Sequence, residues 1–138
     1  RTIARDYRAA HERLEAEGKL AGMPNEVRYS IVRGFQIHDY FHVLTGYATD
    51  GRGEMALQAF TLAQRQLPYA SLWMATLTSQ MTFLHPDMTS AVMDSISDGW
   101  TYGRAARNLN YEHWEHRLAE PVDALRAEFG LRREAIAA

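Results

Sequence analysis

The chain has 138 residues, a formal net charge of -2 and no cysteine. A chain of this length can bury one hydrophobic core, so we predict a single domain over residues 1–138. The interspersed acidic and basic residues argue against binding to DNA or RNA, and the lack of cysteine excludes disulfides and thiolate metal sites.

The hydrophobic pattern is helical from end to end, with no sustained two-residue alternation. We therefore predict an all-α fold, a single compact bundle of about six or seven helices. The first predicted helix covers residues 3–17 and ends at Gly18. The second follows with Asn25 as its N-cap and runs to about Thr45, where Gly46 ends it.

The remaining predicted helices cover residues 54–67, 69–84, 87–108 and 111–129. The stretch YASLWMATLTSQMTFL at 69–84 carries no Asp, Glu, Lys or Arg, so we predict that this helix is the central one. Pro121 is predicted to kink or break the last helix.

Two histidines and two acidic residues stand close together around the end of the second predicted helix. At about 100° per residue, His38 and His42 lie one turn apart, and Asp39 falls within the same third of the helix circumference. Glu54 begins the next helix, and a short connection can return it to the same cavity. Burying these groups without partners would cost several kcal/mol. We therefore expect them either to bind a metal ion or to form a hydrogen-bonded cluster without one.

Two other enzyme classes use related motifs. Zinc proteases carry HExxH, in which a Glu is the general base, whereas Asp39 takes that position here. HD-type phosphohydrolases use an adjacent His-Asp pair, but they also need an upstream His and a distant downstream Asp. An unrelated metallohydrolase is therefore the weakest of the hypotheses.

The segment HDYFH at 38–42, followed by eleven residues and Glu54, resembles the HDxxH-x11-E motif of the coenzyme Q biosynthesis protein 4 family. The resemblance covers nearly the whole chain. It includes HVLTGY at 42–47, ALQAFTLAQ at 56–64, WTYGRAARNL at 100–109 and PVDALRAEFGL at 121–131. The N-terminal stretch of the family is predicted to be cut back here to RTIARDY.

This resemblance implies an all-helical ubiquinone-biosynthesis protein that acts on prenylated precursors. The family is linked to oxidative decarboxylation, in which a hydroxyl replaces the ring carboxylate. It is also linked to a non-catalytic role, in which a prenyl-lipid-binding scaffold organises the other biosynthetic enzymes. Carried over to this sequence, the metal and catalytic site falls on His38, Asp39, His42 and Glu54. Such donors suit one divalent ion, with Zn²⁺ predicted and Fe²⁺ or Mn²⁺ as alternatives.

A prenylated aromatic acid needs an apolar channel and a cation for its carboxylate. Arg104 and Arg107 are the candidate carboxylate clamp. Tyr40, Tyr47 and Trp100 are candidates for stacking on the ring, with Tyr47 as the predicted substrate residue. An apolar stripe on the uncharged helix is the candidate channel lining, although such a stripe also forms ordinary core. The stripe comprises Leu72, Trp73, Met74, Leu77, Met81 and Phe83.

The expected substrate also implies where the protein works. A polyprenyl chain resides in the bilayer, so we predict transient contact with a membrane surface. We predict a peripheral protein at the inner membrane. It would lie on the cytoplasmic side in a bacterium, which the Arg-rich composition with Lys19 as the only Lys favours, or on the matrix side of a mitochondrion. The predicted partners are the other ubiquinone-biosynthesis enzymes and a second copy of the chain.

Overall fold

The computed structural model describes Gly18, residues 21–66 and residues 68–132, and all regular structure in them is helical. The α-helices are α1 (Asn25–Thr45), α2 (Gly51–Arg65), α3 (Pro68–Leu84), α4 (Thr89–Ala105) and α5 (Val122–Phe129). Short 3-10 helices at Pro86–Met88 and Trp114–His116 precede α4 and α5. The all-α prediction is confirmed. The helix predicted over 3–17 and the segment RTIARDY lie outside the described residues.

The ends of α1 follow from local sequence. Asn25, predicted as the N-cap, is the first residue of the helix. At the other end, Gly46 takes the left-handed conformation with a φ of 79°, which glycine adopts without strain. The N–H of Gly46 still donates to the carbonyl of His42 at 3.0 Å, so the helix closes as predicted at Thr45.

The start of α2 is set by an aspartate cap. The Asp50 side chain accepts a hydrogen bond from the backbone N–H of Gly53 at 2.8 Å. The helix therefore begins at Gly51, ahead of the predicted start at Glu54, and Glu54 lies within its first turn. A carboxylate at this position is stabilised by the positive end of the helix dipole.

The last predicted helix is broken, because Pro121 has no N–H to donate to a preceding turn. Its first part contains only the 3-10 helix Trp114–His116, and α5 begins at Val122, directly after the proline.

The internal contacts divide the chain into two units, residues 1–40 and 41–138, with the boundary inside α1. In the first unit Ile37 is buried, whereas Tyr29 and Phe35 are exposed. In the second unit, α2 has more buried residues than α3, α4 or α5. The single-domain prediction stays a prediction.

Within residues 41–138, α2 and α4 pack closely because α4 carries glycines one turn apart. Gly99 lies against the backbone of Ala56, and Gly103 lies against the backbone of Phe60. A Cβ on Gly99 would overlap the carbonyl of Ala56, so no larger residue fits without moving a helix.

The prediction that the uncharged helix is the central one is wrong. In α3 only Ala70 and Met74 are buried, and Leu72, Phe83 and Leu84 are exposed. A helix without charged residues can be buried at little cost, but its composition does not determine how many other helices pack against it. None of the described helices is both long and apolar enough to cross a bilayer.

Candidate metal centre

Three of the predicted ligands come together at the end of α1 and the start of α2. One ligand atom each from His38, His42 and Glu54 lies within 4.8 Å of the other two. His38 and His42 are one turn apart on a continuous helix, and Nε2 of His42 lies 3.1 Å from Oε1 of Glu54. The side chains of His38, His42 and Glu54, which the sequence motif predicted as ligands, therefore lie close together.

The environment of His42 decides which of its ring nitrogens carries a proton. His42 is buried, and its Nδ1 lies 3.0 Å from the backbone oxygen of Tyr47. A carbonyl can only accept, so Nδ1 carries the proton that it donates. In the neutral ring Nε2 then presents a lone pair towards the carboxylate of Glu54. Two hydrogen-bond acceptors that face each other need a cation or a shared proton between them. His38, His42 and Glu54 therefore fit as ligands of a divalent metal ion.

Asp39 does not join this cluster. It is exposed on α1, and the group that can hold a metal among the described residues contains only His38, His42 and Glu54. Helix geometry gives the reason, because each residue is turned by about 100° from the one before it. Asp39 as a fourth ligand, or as an acceptor behind a histidine ring, stays a prediction.

A partly buried network of hydrogen bonds holds Tyr47 in place. The Tyr47 hydroxyl donates to Oδ2 of Asp98 at 2.6 Å, and Arg132 donates to both oxygens of Asp98 at 3.0 and 2.7 Å. The backbone N–H of Arg132 donates to the Tyr102 hydroxyl at 2.7 Å, and its guanidinium lies 4.2 Å from the centre of the Tyr102 ring. These contacts join the loop after α1, helix α4 and the segment after α5.

Burial and charge set the protonation states in this network. Burial raises the pKa of Tyr47 well above its ordinary value, and the bond to Asp98 raises it further. Burial alone would raise the pKa of Asp98 too, but the hydrogen bonds from Arg132 and Tyr47 outweigh it and hold that pKa below its ordinary value. At neutral pH Asp98 is therefore a charged acceptor, and Tyr47 is a donor.

Arg126 of α5 binds the carbonyl end of α1. Its Nε donates to the backbone oxygen of Leu44 at 3.0 Å, and its Nη2 donates to that of Val43 at 2.8 Å. The last carbonyls of a helix have no partner within the helix, and a positive charge at that end suits the helix dipole. Arg126 thus holds the end of the helix that carries His42.

The predicted substrate residues have different surroundings. Tyr47 is buried and hydrogen-bonded as described above. Arg107 is exposed, donates to the backbone oxygen of Glu128 at 3.2 Å and lies 4.9 Å from the centre of the Phe129 ring. Arg104 is exposed on α4 and makes no hydrogen bond or ion pair within the described ranges. None of the three belongs to the metal cluster, and their roles in substrate binding stay predictions.

Comparison with known proteins decides the family. The sequence pattern of the coenzyme Q (ubiquinone) biosynthesis protein Coq4 family matches residues 24–135. The chain belongs to this family. The predicted resemblance is therefore confirmed.

Relatives of this Coq4-family chain include two fungal proteins named ubiquinone biosynthesis protein coq4, mitochondrial. The protein of Sclerotinia sclerotiorum is 33% identical over 110 residues, which cover 78% of this chain and 37% of that protein. The protein of Botryotinia fuckeliana is 31% identical over 110 residues, which cover 78% of this chain and 38% of that protein. The chain thus spans well under half the length of these relatives.

A crystal structure shares the fold of this Coq4-family chain. A proposed ubiquinone biosynthesis protein from Nostoc punctiforme PCC 73102 superposes with a TM-score of 0.73 at 25% identity. The match covers 90% of this chain and 61% of that one. The all-helical fold is therefore shared with a solved structure.

The sequence pattern of this Coq4-family chain did not point to Asp98, Tyr102, Arg126 or Arg132. Their partners are remote, since 51 positions separate Tyr47 from Asp98. The available signal was weak: an acid and a tyrosine stand one turn apart on α4, which also carries Gly99 and Gly103. That spacing places Asp98 and Tyr102 on one side of the helix, but it does not name a partner.

Proposed function

We propose that this chain acts in ubiquinone biosynthesis as the metal-binding part of an enzyme. The enzyme would replace the ring carboxylate of a prenylated precursor with a hydroxyl. The observation that carries this proposal is the convergence of His38, His42 and Glu54 within 4.8 Å, with Nδ1 of His42 bound to a backbone carbonyl. The names of the two fungal relatives support the pathway.

The residues named above would hold one divalent ion. We propose Nε2 of His42, a ring nitrogen of His38 and a carboxylate oxygen of Glu54 as its ligands, with Asp39 as a fourth ligand or as a base. Zn²⁺ is the proposed ion, and Fe²⁺ and Mn²⁺ suit the same donors. When bound, such an ion supplies positive charge that can bind the substrate carboxylate or polarise a phenol, and iron or manganese can also activate dioxygen.

The proposed reaction balances with dioxygen as the oxidant. The bond between the ring carbon and the carboxylate breaks, carbon dioxide leaves, and a new C–O bond forms at the same carbon. The substrate loses two electrons to dioxygen, formally one from the ring carbon and one from the carboxylate carbon. The second oxygen atom leaves as water once a reductant supplies two further electrons and two protons.

The chain offers an uncharged surface for the prenyl tail. An open cavity of about 470 Å³ between α3 and α4 has neither acid nor base among its lining residues. Its lining consists of Met74, Ala75, Thr78, Ser79, Thr82, Phe83, Met93 and Ile96. We propose that the tail lies here, and that Arg104 or Arg107 binds the carboxylate while Tyr47 contacts the ring. One of the two single variants, Arg104→Ala or Arg107→Ala, should then raise KM for the acid about tenfold, as expected for the loss of a charged hydrogen-bonding partner.

Metal content is the first test. Wild-type protein expressed without added metal should carry one divalent ion per chain, and His42→Ala should carry none. His113→Ala is a matched control, because His113 is exposed and lies outside the cluster. Absence of bound metal from the wild type under metal-replete conditions would contradict the proposal.

Turnover is the second test. Purified protein is given metal, a reductant, ¹⁸O-labelled dioxygen and a prenylated hydroxybenzoate labelled with ¹³C in its carboxylate. We expect labelled carbon dioxide and a ring hydroxyl that carries ¹⁸O. His42→Ala should form neither labelled product, and His113→Ala should form both at the wild-type rate.

The alternative is a prenyl-lipid-binding scaffold without catalytic activity. The exposed apolar residues Leu72, Phe83 and Leu84 on α3 favour it, because such surface marks a binding or membrane-contact site. The metal would then only join two helices, and the chain would organise the other biosynthetic enzymes or a second copy of itself. Protein that binds metal and prenyl lipid but never changes the labelled precursor would favour the scaffold.

We also propose a peripheral location at the inner membrane. It would lie on the matrix face in a mitochondrion or on the cytoplasmic face in a bacterium. The fungal relatives named as mitochondrial support the first setting. Flotation of the protein with vesicles of inner-membrane lipids would test this, and loss of flotation in Phe83→Glu would assign the contact to α3.

A further inference from the structure

We propose that Asp98 and Arg132 are positioning residues for the metal ligand His42 and that they act through Tyr47. This inference rests on the metal centre proposed above. Among the described residues, the hydrogen bonds of Asp98 and Arg132 go to Tyr47, to Tyr102 and to each other, not to the three ligands. We therefore infer that their effect passes along the loop that follows α1.

The first step is the anchor on the Tyr47 side chain. Tyr47 follows Gly46 in a loop, where its backbone has no helical hydrogen bonds to fix it. Its N–H reaches Oγ1 of Thr45 only at 3.4 Å, which is a long hydrogen bond. The bond from its hydroxyl to Asp98, at 2.6 Å, is much shorter and involves a charged acceptor. The side chain therefore does most to hold this residue in place.

The second step is the carbonyl of the same residue. The Tyr47 oxygen accepts from Nδ1 of His42 at 3.0 Å, and this bond fixes the ring orientation and the position of its proton. If Tyr47 shifts, the ring can turn or move its proton to Nε2. Nε2 would then present an N–H towards Glu54 instead of the lone pair that a metal needs.

The third step is Arg132, which fixes Asp98. Asp98 is about a third exposed, so its carboxylate could otherwise turn towards solvent. Arg132 binds both of its oxygens in the forked geometry that a guanidinium allows. Arg132 is itself held by its backbone bond to the Tyr102 hydroxyl and by stacking on that ring.

The test measures metal affinity on the purified full chain, by Co²⁺ titration followed by visible absorption. Tyr47→Phe keeps the ring and the carbonyl but loses the anchor, and we expect Kd to rise about 10- to 100-fold. Asp98→Asn and Arg132→Lys should weaken binding in the same direction. All three residues act along one path. The double variant of Tyr47→Phe with Asp98→Asn should therefore have a Co²⁺ Kd no higher than that of the single variant with the higher Kd.

Trp114→Phe is the matched control for stability. The buried Trp114 donates to the backbone oxygen of Leu109 at 2.9 Å. Its ring contacts in the described part of the chain are with Phe129 and Arg117, not with Tyr47 or His42. This variant should lower the melting temperature but leave the Co²⁺ Kd and spectrum unchanged. A similar loss of affinity in Trp114→Phe would mean that general destabilisation explains the effect and would overturn the inference.

The remaining outcomes separate this inference from the proposed function. If the wild type binds no metal, the proposed function fails, and the inference fails with it. If the wild type binds metal and Tyr47→Phe binds it equally well, only the inference is overturned. Partial recovery of affinity in Asp98→Glu, compared with Asp98→Asn, would support a charged acceptor as the required group.

Discussion

Gly99 of α4 lies against the backbone carbonyl of Ala56 in α2, with no room for a side chain between them. This contact sets how closely the two helices approach. Because α2 carries Glu54 in its first turn and α4 carries Asp98, the same contact determines where both side chains lie relative to the loop after α1.

We predict that Gly99→Ala lowers the free energy of unfolding by about 1–3 kcal/mol, because the added methyl group forces the helices apart. Gly51→Ala is the matched control, since a Cβ at Gly51 meets no atom within 4 Å. It should leave stability unchanged or raise it slightly. Urea unfolding followed by circular dichroism measures both. Equal destabilisation by the two substitutions would contradict the packing argument.

Removal of metal should lower the melting temperature of the wild type. A ligand at one hundred times its Kd stabilises the folded state by about 2.7 kcal/mol. For a chain of this size that corresponds to a shift on the order of 10 °C. Thermal scans with excess Zn²⁺ and with excess chelator measure the difference. Glu54→Gln should show a much smaller shift, whereas identical wild-type curves with and without metal would count against the site.

Acid should weaken the Asp98 network in a defined pH range. The folded pKa of Asp98 lies below its unfolded value of about 3.9, so its contribution is complete above that pH and is lost as the pH falls through the folded pKa. In the presence of chelator, the melting temperature of the wild type should exceed that of Asp98→Asn at neutral pH. This difference in melting temperature should narrow below about pH 4. If the difference in melting temperature stayed constant well below about pH 4, the effect of Asp98→Asn would not come from the charge of Asp98.

Arg126→Gln should destabilise the end of α1. The substitution removes the charged donor from the carbonyls of Val43 and Leu44, and hydrogen bonds to charged groups contribute about 1.5–3 kcal/mol each. Arg104→Gln is the control, because Arg104 is exposed and has no such partner in the described ranges. Urea unfolding should separate the two variants. Arg104→Gln as costly as Arg126→Gln would rule out the capping explanation.

Local features of the sequence predicted the helices well. Gly46 ends α1 through its left-handed conformation, and Pro121 breaks the last predicted helix through its missing N–H. Both effects act within a few residues and need no knowledge of the fold. The pair His38 and His42 was predictable for the same reason, since residues four apart on a helix are neighbours.

Other features depend on contacts that a single sequence does not encode locally. The uncharged composition of α3 suggested a central helix, but exposure of Leu72 and Phe83 follows from how few elements pack on it. The link between Tyr47 and Asp98 depends on the approach of α4, which the glycines of α4 allow but do not specify.

Because Arg126 ties the carbonyl end of α1 to α5, the proposed centre relies on residues far downstream of every ligand. A premature stop codon just before Arg126 would leave His38, His42 and Glu54 in the translated product. Such a shortened polypeptide would nevertheless lack the guanidinium of Arg126, which binds the end of α1 next to His42. Nonsense variants between the codons for Glu54 and Arg126 should therefore behave as site-loss alleles, although the ligand codons remain intact.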